Sequence, residues 1–205
     1  MIFENKILLI TLTVITFYLC ILTNYKNSDN KLQFDKIVIY TWGLNTSALI
    51  FSLKANKEGF IEYIDFVRES KLRRVAVVNI RTTNFILKTI EKTRHLWENP
   101  PKISERDKQK LIKQLYPYPD DSGITLIIKQ RQKILGGLDD FDLRLIKFKK
   151  YKGYKDVEKC INLLFEIINK YGKDIEILSE SKIQYYEKQR EKEVRILENL
   201  RRYKE

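Results

Sequence analysis

Residues Lys36–Trp42 have the sequence KIVIYTW, a run of β-branched and aromatic side chains that ends at Gly43. Such a run predicts a β-strand. A second apolar run, Ala48–Leu53 (ALIFSL), predicts another strand close behind the first. A third, Arg74–Ile80 (RVAVVNI), is short and continuous, which is typical of a strand buried on both faces. This part of the chain therefore predicts a sheet.

Helical periodicity appears between and after these strands. From Glu58 to Ser70, polar side chains recur at every third position among apolar ones, which predicts a helix. Caps and apolar stripes predict four further helices: Thr82 or Thr83 to about Trp97, a helix capped by Ser104 that stops at Pro117, Val157–Tyr171, and Ser179–Glu205.

The pair Gly136-Gly137 lies between two segments with strand character, Ile124–Ile134 and Phe141–Phe148, and this arrangement predicts a β-hairpin. The predicted strands form two groups along the sequence, with helices between and after them, and this order favours an α+β fold. We therefore predict an α+β domain at residues 36–172, with one mixed or antiparallel sheet and helices packed against it. Residues 173–205 are predicted to contain a long, charged amphipathic helix.

The chain upstream of the first strand has a different composition. After a short flank at residues 1–6, residues 7–23 contain no charged side chain over 17 positions. As a helix this segment would be about 25 Å long, the short end of what crosses a bilayer. It has no polar face, which favours lipid over a protein core. The sequence predicts a transmembrane anchor at residues 7–23 and a polar linker at residues 24–35.

Two properties of the anchor remain open at the level of sequence. Its C-terminal part is bulky, without the small residues that precede a cleavage site, which favours an uncleaved anchor over a cleaved signal peptide. Lysines after the segment place the body in the cytoplasm by the positive-inside rule, whereas Lys6 before an apolar run resembles an export signal. We expect a single-pass protein of the cell membrane with an exported body.

The net charge of +12 and the isoelectric point near 9.5 raise nucleic acid, anionic lipid or an acidic partner as ligands. Abundant Ile, Lys, Asn and Tyr indicate instead that AT-rich codons contribute to the lysine excess. Two basic clusters stand out: Arg68, Lys71, Arg73, Arg74 and Arg81, and then Lys147, Lys149, Lys150, Lys152 and Lys155, interleaved with Phe148, Tyr151 and Tyr154. We interpret them as solvated surface first, as a contact for anionic lipid second, and as a nucleic-acid site last.

Few residues suit nucleophilic chemistry. His95 is the single histidine and lies near a predicted helix end, where a surface role is expected. Of the two cysteines, Cys20 falls in the apolar segment and Cys160 on an apolar helix face, so no disulfide framework is predicted. We expect no cofactor.

The sharpest local feature is the sequence GGLDDFD at residues 136–142. Asp139, Asp140 and Asp142 could hold a divalent cation through hard oxygen ligands, but glycine and aspartate are also turn residues. The turn interpretation is favoured, and the three aspartates remain candidate metal ligands. If they serve an enzyme, they should line a cleft and have raised pKa values. If they do not, they should cap an exposed hairpin.

These observations favour a non-enzymatic protein that binds other proteins at the membrane surface, of an envelope-accessory or toxin-neutralising type. The tether would be residues 7–23, and the C-terminal helix could dock on a partner protein. One alternative is a metal-dependent transferase or hydrolase that uses Asp139, Asp140 and Asp142. The other is a basic nucleic-acid or anionic-lipid binder, with nucleic acid disfavoured because lysine outnumbers arginine.

Overall fold

The computed structural model describes residues 34–43, 46–66, 71–116 and 122–202. Within them, seven strands form one antiparallel sheet in the order β6-β5-β1-β2-β3-β4-β7. The strands are β1 (Lys36–Trp42), β2 (Ser47–Leu53), β3 (Gly59–Asp65), β4 (Leu72–Val78), β5 (Gly123–Gln130), β6 (Lys133–Leu138) and β7 (Lys173–Ile177). The helices are α1 (Ile80–Lys92), α2 (Arg94–Glu98), α3 (Glu105–Leu115), α4 (Asp140–Phe148), α5 (Tyr154–Tyr171) and α6 (Glu180–Arg202). The predicted α+β class is confirmed.

Helices cover both faces of the sheet. On one face, Ile37, Phe51 and Ile61 are fully buried and aligned across three strands, and α5 packs against this region. On the other face, a second cluster of buried side chains from β1, β2, β3 and β5 packs against Ile183 and Leu197 of α6. The apolar stripe of the C-terminal helix therefore packs on the sheet of its own chain.

The predicted helix at Glu58–Ser70 is wrong where the structure describes it, because Gly59–Asp65 form β3, which pairs with β2 and β4. Ile61 and Ile64 are both fully buried, although they point to opposite faces of the sheet. A strand covered on both faces loses the alternation of polar and apolar residues that identifies strands in sequence. The three-residue spacing of polar side chains was therefore misleading.

The predicted hairpin is also wrong in its turn and in its second strand. The chain reverses at Arg131, which has a left-handed φ of 55°, between β5 and β6. Gly136-Gly137 lies inside β6, and the predicted strand Phe141–Phe148 lies in α4. The two glycines allow close approach: a Cβ would lie 2.4 Å from the Trp97 carbonyl oxygen at position 136, and 2.3 Å from the Leu126 carbonyl oxygen at position 137.

The other predicted elements differ mainly at their ends. The helix expected from Thr82 to Trp97 begins at Ile80, capped by Asn79, and is interrupted at Thr93. Ser104 caps α3 as predicted. The strand predicted at Arg74–Ile80 is found as β4, shifted by two residues, but its predicted burial is wrong, because Val77 is 60% exposed and only Ala76 and Val78 are buried. The sequence did not reveal β7, whose five residues join the sheet edge beside β4.

At the N-terminal side, Phe34 and Asp35 close the predicted linker and already contact the domain, since Phe34 is buried and Asp35 accepts a hydrogen bond from the backbone of Arg131. The predicted anchor at residues 7–23 lies outside the described residues. None of the helices that the structure describes is long and apolar enough to cross a bilayer.

Candidate functional site

A cleft of about 800 Å³ lies beside β6. Its walls come from the segment Trp97–Ile103, the N-terminal end of α4 and the C-terminal end of α6. The apolar part of the lining includes Pro100, Pro101, Ile103, Leu135, Phe141 and Leu200. A concave site with apolar walls and a few convergent polar groups is the usual form of a ligand site.

Two helix ends bring Asp139, Asp142 and Arg201 together in the cleft, whose lining also includes Glu98, Lys102, Glu105 and Lys108. Asp139 caps α4, and its carboxylate accepts a hydrogen bond from the Asp142 backbone N–H at 2.8 Å. The Asp142 carboxylate accepts one from the Asp139 backbone N–H at 3.1 Å, which completes a capping box. Arg201, in the last turn of α6, donates to both carboxylates. Acids at a helix N-terminus and a cation at a helix C-terminus both interact favourably with the helix dipoles.

The electrostatics of this cluster are unbalanced, because two carboxylates share one guanidinium. Burial and the neighbouring Asp139 raise the pKa of Asp142 to about 7, and Arg201 opposes that rise. The Nε of Arg201 is buried and has no hydrogen-bond partner among the described residues. As the pH rises through about 7, Asp142 loses its proton and the cluster becomes more negative by one charge.

Asp140 lies apart from this cluster. Its carboxylate accepts from Arg144 Nε at 2.8 Å and from the Ile124 backbone N–H at 3.3 Å. Arg144 also donates to the carbonyl oxygens of Leu115 at 2.9 Å and Ser122 at 3.0 Å, which ties α4 to the end of α3 and the start of β5. The structure thus brings together Asp139 and Asp142 of the three candidate metal ligands, and directs Asp140 to a different arginine.

Metal-ligating groups are otherwise dispersed. Within residues 34–43, 46–66, 71–116 and 122–202, no three His, Cys, Asp or Glu side chains are placed to hold a metal ion. His95 Nε2 lies 3.1 Å from the Lys152 carbonyl oxygen. Cys160 is buried on α5, and burial raises the pKa of its thiol to about 12. His95 is exposed and Cys160 is buried, as the sequence predicts for their placement.

The two basic clusters differ in how their charges are compensated. In the first, Lys71 pairs with Glu180 at 2.6 Å, Arg73 with Glu62 at 2.6 Å, and Arg74 with Asp174 at 2.7 Å; Arg68 lies outside the described residues. In the second, Lys147 pairs with Glu158 at 2.7 Å. The side chains of Lys149, Lys150, Lys152 and Lys155 are exposed and form no ion pair with a described carboxylate.

Sequence reasoning missed two groups of polar residues. Arg201 lies more than fifty positions from its partners, and nothing in its local sequence points to them. The second group is a buried network in which Lys129 Nζ lies 2.5 Å from Glu193 Oε1 and Tyr40 donates to Glu193 Oε2 at 3.0 Å. A lysine at the end of an apolar strand and a glutamate in a charged helix both look like surface residues in sequence.

Comparison of the chain with known protein families, with curated protein sequences and with solved structures finds no match.

Proposed function

We propose that the protein is a non-enzymatic interaction protein, tethered to a membrane by residues 7–23, whose cleft beside β6 receives a segment of a partner protein. The observation that carries the proposal is the cleft, which combines apolar walls with two carboxylates that share the single Arg201. The envelope-accessory and toxin-neutralising types both fit this description.

The cleft chemistry indicates what kind of segment it receives. Leu135, Phe141 and Leu200 are partly buried and offer apolar contact area. Beside them, the cleft lining has four acidic side chains, Glu98, Glu105, Asp139 and Asp142, against three basic ones, Lys102, Lys108 and Arg201. A segment with an apolar residue next to a lysine or arginine would fill the cleft and neutralise the excess carboxylate. Binding should then strengthen as the pH rises through 7, because Asp142 loses its proton.

A peptide-display selection on the full-length chain in detergent tests this proposal. We expect enrichment of peptides with Lys or Arg beside an apolar residue. Asp139→Asn keeps a side-chain oxygen for the helix cap and removes one charge, so it should weaken binding of the selected peptides about tenfold. Asp156→Asn, which removes the same charge on α5, is the matched control and should leave binding unchanged. Selected peptides without basic residues, or equal loss in both variants, would contradict the proposal.

A second function, the enzymatic one, is favoured by the condition set for it from the sequence: Asp139 and Asp142 line a cleft instead of capping an exposed hairpin, and the pKa of Asp142 is raised. A carboxyl group with a pKa near 7 in a cleft is suited to general acid–base catalysis, and Asp142 meets that description. The metal-dependent transferase or hydrolase considered from the sequence needs Asp140 as well, but that residue faces Arg144. The two functions separate by mass spectrometry of the selected peptides after prolonged incubation with the protein: unchanged masses favour binding alone, and cleaved or modified peptides favour catalysis.

A further inference from the structure

The connection between α4 and α5 forms a basic and aromatic protrusion. Residues 147–159 contain six lysines, two carboxylates and no arginine. Phe148 and Tyr151 are 48% and 38% exposed. We call the residues Phe148, Lys149, Lys150, Tyr151, Lys152 and Lys155 the lysine–aromatic patch.

The backbone of this protrusion is held in place. The Tyr151 N–H donates to the Ile146 carbonyl at 2.9 Å, and the Lys152 carbonyl lies 3.1 Å from His95 Nε2. Gly153, with a φ of 92°, lies against Thr93, where a Cβ would approach the threonine methyl group to 3.3 Å. The exposed aromatic side chains are therefore presented by a fixed loop.

The charge of the lysine–aromatic patch is uncompensated, whereas three of the four described members of the first basic cluster, Lys71, Arg73 and Arg74, are paired with carboxylates. Uncompensated lysines around exposed aromatic rings suit an anionic bilayer, because the rings enter the headgroup region while the lysines contact lipid phosphates. Nucleic-acid sites rely more on the planar fork of arginine, which this patch lacks.

We propose that the lysine–aromatic patch docks the domain on an anionic lipid surface. The inference is independent of the cleft, and it extends the membrane part of the proposed function by giving the domain a fixed orientation on the bilayer. Each lysine near such a surface contributes about a fivefold factor to the docked population. Removing two of them should therefore lower the ratio of docked to undocked protein about 25-fold.

The test places an environment-sensitive fluorophore on the patch of the full-length chain. Cys20→Ser combined with Phe148→Cys leaves one reactive thiol, since Cys160 is buried. The labelled protein is mixed with nanodiscs of phosphatidylcholine alone or with added phosphatidylglycerol. We expect the fluorophore emission to shift to the blue only in the discs that contain phosphatidylglycerol, and added salt should reverse this shift. Lys149→Gln with Lys152→Gln should abolish the shift, whereas Lys113→Gln with Lys188→Gln, the same charge change on α3 and α6, should keep it.

The outcomes separate this inference from the proposed tether. Co-purification of the chain with phosphatidylcholine discs reports on residues 7–23, whatever the fluorophore shows. Equal spectra in both kinds of disc, or equal effects of the two double variants, would overturn the docking inference. A spectral shift with a single-stranded oligonucleotide and none with phosphatidylglycerol would overturn it in favour of nucleic acid.

Discussion

The buried pair Lys129–Glu193 gives the sharpest prediction about what holds α6 on the sheet. The side chains of Lys129 and Glu193 are 3% and 7% exposed, and their charged atoms lie 2.5 Å apart. Tyr40 and Gln189 supply two further hydrogen bonds to the same carboxylate, at 3.0 and 3.2 Å. Removing one partner of such a pair leaves an uncompensated buried charge, at a cost of about 3–5 kcal/mol.

Lys129→Met should therefore lower the free energy of unfolding by about 3–5 kcal/mol, because Glu193 is left buried without its cation. The double variant Lys129→Met/Glu193→Gln should recover to within about 1 kcal/mol of the parent, since the amide carries no charge, its oxygen can accept from Tyr40, and its NH2 group can donate to the side-chain oxygen of Gln189 once that amide is turned over. Urea unfolding of the full-length protein in detergent measures both values. A loss of less than about 1 kcal/mol in the single variant, or a double variant as unstable as the single one, would refute a stabilising role for the pair.

Cys160, Gly136 and Asp142 each allow a direct test of the packing around them. With Cys20→Ser present, the native protein should not react with a thiol reagent at pH 8, because a pKa of about 12 leaves the Cys160 thiol protonated. The thiol should react fully after denaturation. If the native protein reacted as fast as the denatured protein, the burial of Cys160 would be contradicted. Gly136→Ala should destabilise the protein by about 1–3 kcal/mol, because the added methyl group meets the Trp97 carbonyl, whereas Lys133→Ala on the same strand should stay within about 0.5 kcal/mol in urea unfolding. The pKa of Asp142 is about 7 in the folded protein and about 4 in the unfolded chain, so its contribution to stability is full below pH 4 and is lost as the pH rises to 7. Asp142→Asn should therefore reduce the change in unfolding free energy between pH 4 and pH 7. An unchanged pH dependence would refute the raised pKa of Asp142.

Sequence patterns predicted the fold class because several elements have one exposed face. The stripe on α5 and the Ser104 cap are local signals, and both are found where they were expected. The prediction of secondary structure failed where tertiary contacts determine the conformation of a segment. The strand at Gly59–Asp65 is covered on both faces, so its periodicity does not distinguish it from a helix.

The candidate site shows the same division between local and long-range information. The sequence GGLDDFD was singled out as the sharpest local feature, but its residues serve three purposes that spacing alone cannot separate. The glycines admit close backbone approach, Asp139 caps α4, and Asp140 binds Arg144. Arg201 joins the cluster through the packing of α6, a contact for which the sequence provides no periodic signal.

The central claim, that the cleft beside β6 binds a partner segment at a membrane, is tested most directly by site-specific photo-crosslinking in cells. A photoreactive phenylalanine analogue replaces Phe141 in the cleft wall or, as control, Tyr185 on α6, whose side chain is 64% exposed. We predict a discrete adduct from position 141 in the membrane fraction, with Lys or Arg close to the crosslinked residue of the partner, and none from position 185. Equal or stronger crosslinking at Tyr185, or an adduct whose crosslinked segment lacks a basic residue, would contradict the account.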